Sequence, residues 1–223
     1  MTTGTLPLPR LGVLVSGRGS NLQALLTAIA VGTLHAEIVV VISSKPQVGA
    51  LEIAATAGVP TIIIAPKQFA SRAEEGQALL AALTVAAVDL VVTAGYARII
   101  DRCVVEAYRW RIINIHPSLL PAFAGSMAPG PQAQALEYGV KFTGCTTHFV
   151  TEATDAGPII AQAVVPVHDD DTVETLAARI LTEEHRLLPA SVGAVLAGQV
   201  QVTGNRTMRL AETEQGSTNH ARS

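Results

Sequence analysis

Five short, mostly apolar runs occupy residues 11–15, 36–43, 61–64, 89–94 and 112–115, and stretches with helical character separate the first four and lie between the third and fourth. A strand buried on one face alternates apolar and polar residues. A strand that is apolar throughout needs cover on both faces. Helices between such strands supply that cover, so the pattern predicts an α/β fold: a Rossmann-like, mostly parallel sheet flanked by helices on both faces. The character changes after Pro121. Residues 143–150 and 158–165 read as two strands joined by a polar turn at 151–157, which predicts an antiparallel C-terminal extension of the sheet. With 49% hydrophobic and 15% charged residues in 223, the chain can bury a sizeable core. No repeat or linker divides it, so residues 1–210 read as a single domain and the polar residues 211–223 as a disordered tail.

Smaller features refine this outline. Ser71 with Glu74 forms the capping-box pattern for a helix running to about Ala87. Asp171 with Glu174 repeats that pattern before a long helix to about Leu196, where the acids suit the helix N-terminus. Residues 122–134, rich in Gly, Pro, Ala and Gln, read as a loop. The net charge of −3 offers no nucleic-acid footprint. No apolar run approaches the roughly 20 residues of a membrane helix. The N-terminus lacks a signal-peptide pattern, and Cys103 and Cys145 lack metal-ligand spacing. These features together predict a cytoplasmic protein with no metal, nucleic acid or membrane partner, and leave the oligomeric state open.

Two stretches carry chemistry. The first is Ser16-Gly17-Arg18-Gly19-Ser20-Asn21, set between a strand and a helix. There, freed backbone N–H groups and the helix dipole can face an anion. Leu22 stands where a dinucleotide fingerprint needs Gly or Ala, and no Gly-Lys-Ser/Thr follows, so the turn suits a single phosphate. The alternative is a plain turn with Ser20 as helix cap. The second stretch runs from Ile112 to Pro121. Asn114 and His116 lie two apart at the end of a strand, hence on one face, and Pro117 ends the ladder. That places an amide and an imidazole at the crevice where α/β sheets bind ligands. The alternative is a satisfied core Asn and a surface His.

These stretches resemble the folate-dependent glycinamide ribonucleotide formyltransferases of purine biosynthesis. The matching residues are Ser16 to Gln23, Ala94 to Ile99, Asn114-Ile-His-Pro-Ser-Leu-Leu-Pro121, His148 to Thr151, Asp155-Ala-Gly-Pro-Ile159, and Glu184-His185. They appear in the family's order over nearly the whole chain. The resemblance implies the formyltransferase fold and transfer of a formyl group from 10-formyltetrahydrofolate, as co-substrate, to the amine of 5-phosphoribosylglycinamide. It implies Asn114, His116 and Asp155 as catalytic residues, and Gly19, Ser20, Asn21 and Glu184 as contacts of the ribonucleotide. Arg72, Ala97, Arg98, Ile99, Ile100, Asn114 and Thr151 would border the folate.

The chemistry agrees with that assignment. An amine attacking a formyl amide forms a tetrahedral oxyanion, which needs hydrogen-bond donors and a proton for the departing nitrogen. Asn114 and His116 can supply these, and Asp155 is a suitable partner for the imidazole. One stretch departs from the family pattern: residues 122–134 are slightly longer, lack the usual His, and have Ala124 in place of a proline. The rivals are another folate formyl enzyme, such as a deformylase or a methionyl-tRNA formyltransferase, and a non-enzymatic nucleotide-binding module. The first rival usually carries a further domain. The second has no need of Asn114, His116 and Asp155.

Overall fold

The computed structural model describes residues 7–125 and 130–210. The tail expected at 211–223 and residues 126–129 of the expected loop lie outside the described residues. The strands are β1 (Arg10–Val15), β2 (Glu37–Ser43), β3 (Thr61–Ile63), β4 (Leu90–Thr93), β5 (Ile112–His116), β6 (Phe142–Phe149) and β7 (Ile159–Pro166). They form one sheet in the order β3-β2-β1-β4-β5-β6-β7. All pairs up to β4–β5 are parallel, and β5–β6 and β6–β7 are antiparallel. The expected fold class, antiparallel extension included, is therefore the observed one.

The apolar runs divide cleanly between the two faces. Val13, Val15, Leu90, Val92, Ile113 and Ile115 point to one core, with Leu22 and Leu25 of α1 (Ser20–Ala30) and Leu176, Ile180 and Leu188 of α6 (Val173–Leu196). Leu14, Val91 and Ile112 point to the other, with Leu79 and Leu83 of α3 (Arg72–Val85) and Val104 and Val105 of α4 (Arg102–Ala107). Period-two alternation in a strand requires this division, and it leaves each central strand apolar throughout. β3 is the exception. It lies at the sheet edge, and Ile62 and Ile63 are more than a third exposed.

Several local expectations are corrected. The long helix α6 ends at Leu196 as expected, but its capping box is Thr172 with Thr175. Asp171 instead receives both guanidinium N–H groups of Arg179 at 2.7 Å, and that interaction holds its carboxyl well below the usual range. The Ser71 cap accepts from the Glu74 N–H as expected, but the return bond to Glu74 comes from Ala70. Residues 131–134 are helical, not loop. They open α5 (Pro131–Tyr138), with Pro131 in the first turn, where its missing N–H costs nothing. The remaining helix, α2 (Gly49–Thr56), packs beside α1. A hairpin of β8 (Val200–Thr203) and β9 (Arg206–Arg209) completes the described chain. Its turn is the dipeptide Gly204-Asn205, a two-residue hairpin signal that the sequence carried.

Candidate active site

The strand order reverses between β1 and β4, and crevices at such switch points bind ligands. The glycine-rich turn follows β1, and residues 94–100 follow β4. The two are tied together where the Ala97 N–H donates to Ser16 Oγ at 2.9 Å, while Ser16 Oγ and Ser44 Oγ lie 2.5 Å apart. Gly19 adopts φ +86°, a left-handed conformation that favours glycine, and a Cβ there would lie 2.6 Å from the backbone of Ala50. The turn is thus packed onto α2, and α1 starts at Ser20 with its first N–H groups beside the loop. Ser20 is half-buried and Asn21 is buried. The Asn21 amide donates to Glu184 Oε2 of α6 at 2.7 Å. Glu184 is only 7% exposed, which rules out a solvated helix face, and burial pushes its carboxyl above the usual range against the lowering effect of Asn21.

At the end of β5 the three expected catalytic residues converge. His116 Nδ1 lies 3.3 Å from Asp155 Oδ2, across 39 positions of sequence. Asp155 reaches back because the 151–157 turn folds tightly. Asp155 has φ +51°, and a Cβ on Gly157 would overlap the Phe149 carbonyl. The amide of Asn114 is held at both ends. Its Oδ1 accepts from the Thr93 hydroxyl at 2.5 Å, and its Nδ2 lies 3.0 Å from His148 Nε2. His148 Nδ1 bonds the Phe149 carbonyl at 2.9 Å, so the proton sits on Nδ1 and Nε2 accepts from Asn114. Burial lowers the pKa of His148, partly offset by the Phe149 carbonyl and Asp155. One N–H of Asn114 remains for a ligand. The other side of His116 is covered by the 122–125 turn: His116 Nε2 lies 3.3 Å from the Phe123 carbonyl, and the Gly125 N–H donates to Asp155 Oδ2 at 2.9 Å.

The residues expected at the folate are more scattered. Ala97 is fixed by Ser16. Arg98 makes a two-point ion pair with buried Glu75 of α3, with bonds of 3.1 and 2.7 Å. Ile99 is exposed and Ile100 is buried in the α3–α4 core. Arg72 is exposed, with Asp101 at 3.7 Å. Thr151 bonds locally to the Ala153 carbonyl, in the turn that carries Asp155. Thr93, His148, Phe123 and Glu75 were not assigned to the site from sequence. His148 was visible as a motif residue, but its place opposite Asn114 depends on the β5–β6 register. Among the described residues, no group of three or more His, Cys, Asp or Glu is placed to hold a metal, and no helix is long and apolar enough to cross a membrane.

Residues 9–192 match the family model described as formyl transferase. The chain is similar to phosphoribosylglycinamide formyltransferase of Mycobacterium tuberculosis (strain CDC 1551 / Oshkosh), 45% identical over 87% of this chain and 88% of that protein. It is also similar to the trifunctional purine biosynthetic protein adenosine-3 of Gallus gallus, 46% identical over 86% of this chain; the match spans only 19% of that longer protein. A solved structure of glycinamide ribonucleotide transformylase 1 from Symbiobacterium toebii superposes with a TM-score of 0.89 at 44% identity, over 95% of this chain and all of that one. The family match over residues 9–192 and the near full-length identity of 45% place the protein in the formyl transferase family.

Proposed function

We propose that the chain transfers a formyl group from 10-formyltetrahydrofolate to the amine of 5-phosphoribosylglycinamide, a step of purine biosynthesis. The observation that carries this reading is the convergence of Asn114, His116 and Asp155 at the C-terminal end of β5, with His148 between the amide and the carboxylate. Attack of the amine on the formyl carbon makes a tetrahedral adduct with negative charge on oxygen. The free N–H of Asn114 and His116 Nε2, exchanging the Phe123 carbonyl for that oxygen, are the donors; His116 gives the departing nitrogen its proton as the carbon–nitrogen bond to folate breaks, and the proton lost by the attacking amine replaces it. Asp155 orients His116. The Gly17–Asn21 turn receives the phosphate, and Glu184 receives the ribose hydroxyls. Residues 97–100, with Arg72 and Thr151, border the folate. The attack is direct and has no metal requirement, and both substrates are soluble small molecules in keeping with a cytoplasmic enzyme.

The test is a formyl-transfer assay with both substrates, following tetrahydrofolate release and the formylated ribonucleotide together. Equal release of the two is expected. Tetrahydrofolate with free formate, independent of the ribonucleotide, would make the protein a deformylase. Binding of the ribonucleotide without turnover would make it a binding module.

A further inference from the structure

The Asn21 side chain faces away from the role that its motif suggests. It is buried, and its Nδ2 donates to Glu184 Oε2. Its Oδ1 is one of two buried side-chain polar atoms without a partner among the described residues. Turning the amide over would set two oxygens against each other, so Glu184 fixes its orientation. A phosphate near neutral pH offers mainly acceptors. It cannot use Oδ1, and one of the two N–H groups of Nδ2 is already given to a carboxylate 163 residues away in sequence.

We propose that the Asn21 side chain acts as a positioning residue for the Glu184 carboxylate rather than as a phosphate ligand, and so sets the sugar end of the acceptor site. This rests on the acceptor site assigned above. The chemical logic is one of charge and reach. A carboxylate binds a pair of hydroxyls as an acceptor only when ionised. Burial opposes ionisation of Glu184, and the Asn21 N–H favours it. The same bond joins the first turn of α1 to α6, so it sets the spacing between the phosphate turn and the carboxylate.

The surroundings leave this task to Asn21. α1 has no titratable residue. From β6 comes Cys145, whose thiol burial and Glu184 push up to about 12. α5 offers exposed Glu137 and Tyr138, and β7 offers no titratable group. β5 offers His116, which is engaged by Asp155. On α6 itself, Glu183 pairs with Arg186, and the pKa of His185 is lowered by burial.

Calorimetric binding of two probes to the full chain tests the proposal: inorganic phosphate for the turn alone, and ribose 5-phosphate for turn and carboxylate together. For Asn21→Ala, ribose 5-phosphate should bind about tenfold or more weakly, the range for loss of a hydrogen bond to a charged group, with phosphate affinity unchanged. The loss should deepen as pH falls toward the ordinary carboxylate range, because Glu184 without its donor takes up a proton more readily. Glu184→Gln, which keeps the side-chain volume, should show the same probe selectivity with no such pH dependence. It covers the case in which Asn21→Ala does not fold. Equal weakening of both probes, weakening of neither, or a ribose 5-phosphate loss constant across pH in Asn21→Ala would overturn the proposal. The probes need no turnover, so absence of formyl transfer would count against the function alone.

Discussion

Asn114 shows how much of the site is settled by single hydrogen bonds. Thr93 and His148 hold its amide from either end, so a freely rotating side chain becomes a fixed donor. Preorganised donors of this kind dominate the stabilisation of a developing oxyanion. Asn114→Ala should therefore lower kcat by about 10²–10³, measured under saturating substrates. His116→Ala should cost at least as much, because it removes a donor and a proton source. His116 and Asp155 are in contact, so their effects should not add. The double variant His116→Ala/Asp155→Asn should be little worse than the poorer single variant. Additive losses in a double-mutant cycle would separate the two residues functionally. The approach of the three was expected from the sequence because Asn114 and His116 share a strand face and Asp155 lies in the Asp-Ala-Gly-Pro stretch of the family resemblance. Thr93 and His148 were not, because a partner across a strand is set by register, and register is a property of two segments at once.

At the scale of elements, the apolar runs carried the sheet and the periodic stretches carried α1, α3 and α6. The errors fell at helix ends. Asp171 and Thr172 are both good caps by type. The choice went to Thr172 because Arg179, two turns into the helix, claims the Asp171 carboxylate. Residues 131–134 looked like loop because Gly, Pro and Gln are poor evidence of a helix, yet Pro131 starts one. The 151–157 turn is the element that brings Asp155 beside His116. Gly157 lies against the Phe149 carbonyl, so Gly157→Ala must push the turn away from β6. It should cost about 1–3 kcal/mol of stability, the usual range for overpacking. It should also lower kcat in an assay run well below the melting temperature, because the shift carries Asp155 away from His116. Loss of stability with kcat intact would show that Asp155 follows His116 independently of the turn.

For the whole molecule, the price of a buried polar site is a pH-dependent fold. The folded-state pKa of His148 lies below its ordinary 6.5, so between those two values the unfolded chain binds more protons than the native one. Stability should fall as pH drops below about 6.5, and His148→Gln should flatten that part of the melting-temperature profile. Glu184 acts in the opposite sense at lower pH. Its raised pKa favours the native state below its ordinary 4.5, and that contribution is lost as pH rises through the folded value. A slope below 6.5 unchanged in His148→Gln would mean that His148 is as free to ionise in the native state as in the unfolded one.

The seam between the parallel and antiparallel parts of the sheet also has a spectroscopic consequence. The single tryptophan, Trp110, precedes β5, and its ring meets that of Phe149 on β6 edge-on, with centroids 5.9 Å apart. Residues before the seam contain Asn114 and His116; residues after it contain His148, Asp155 and Glu184. The indole therefore sits where the two sets of candidate site residues are joined, and its emission reports that joining without an added label. In stop-flow refolding, the native emission signal should arrive no later than formyl-transfer activity, and Phe149→Leu should shift the emission of the folded protein while leaving the residues of the site untouched.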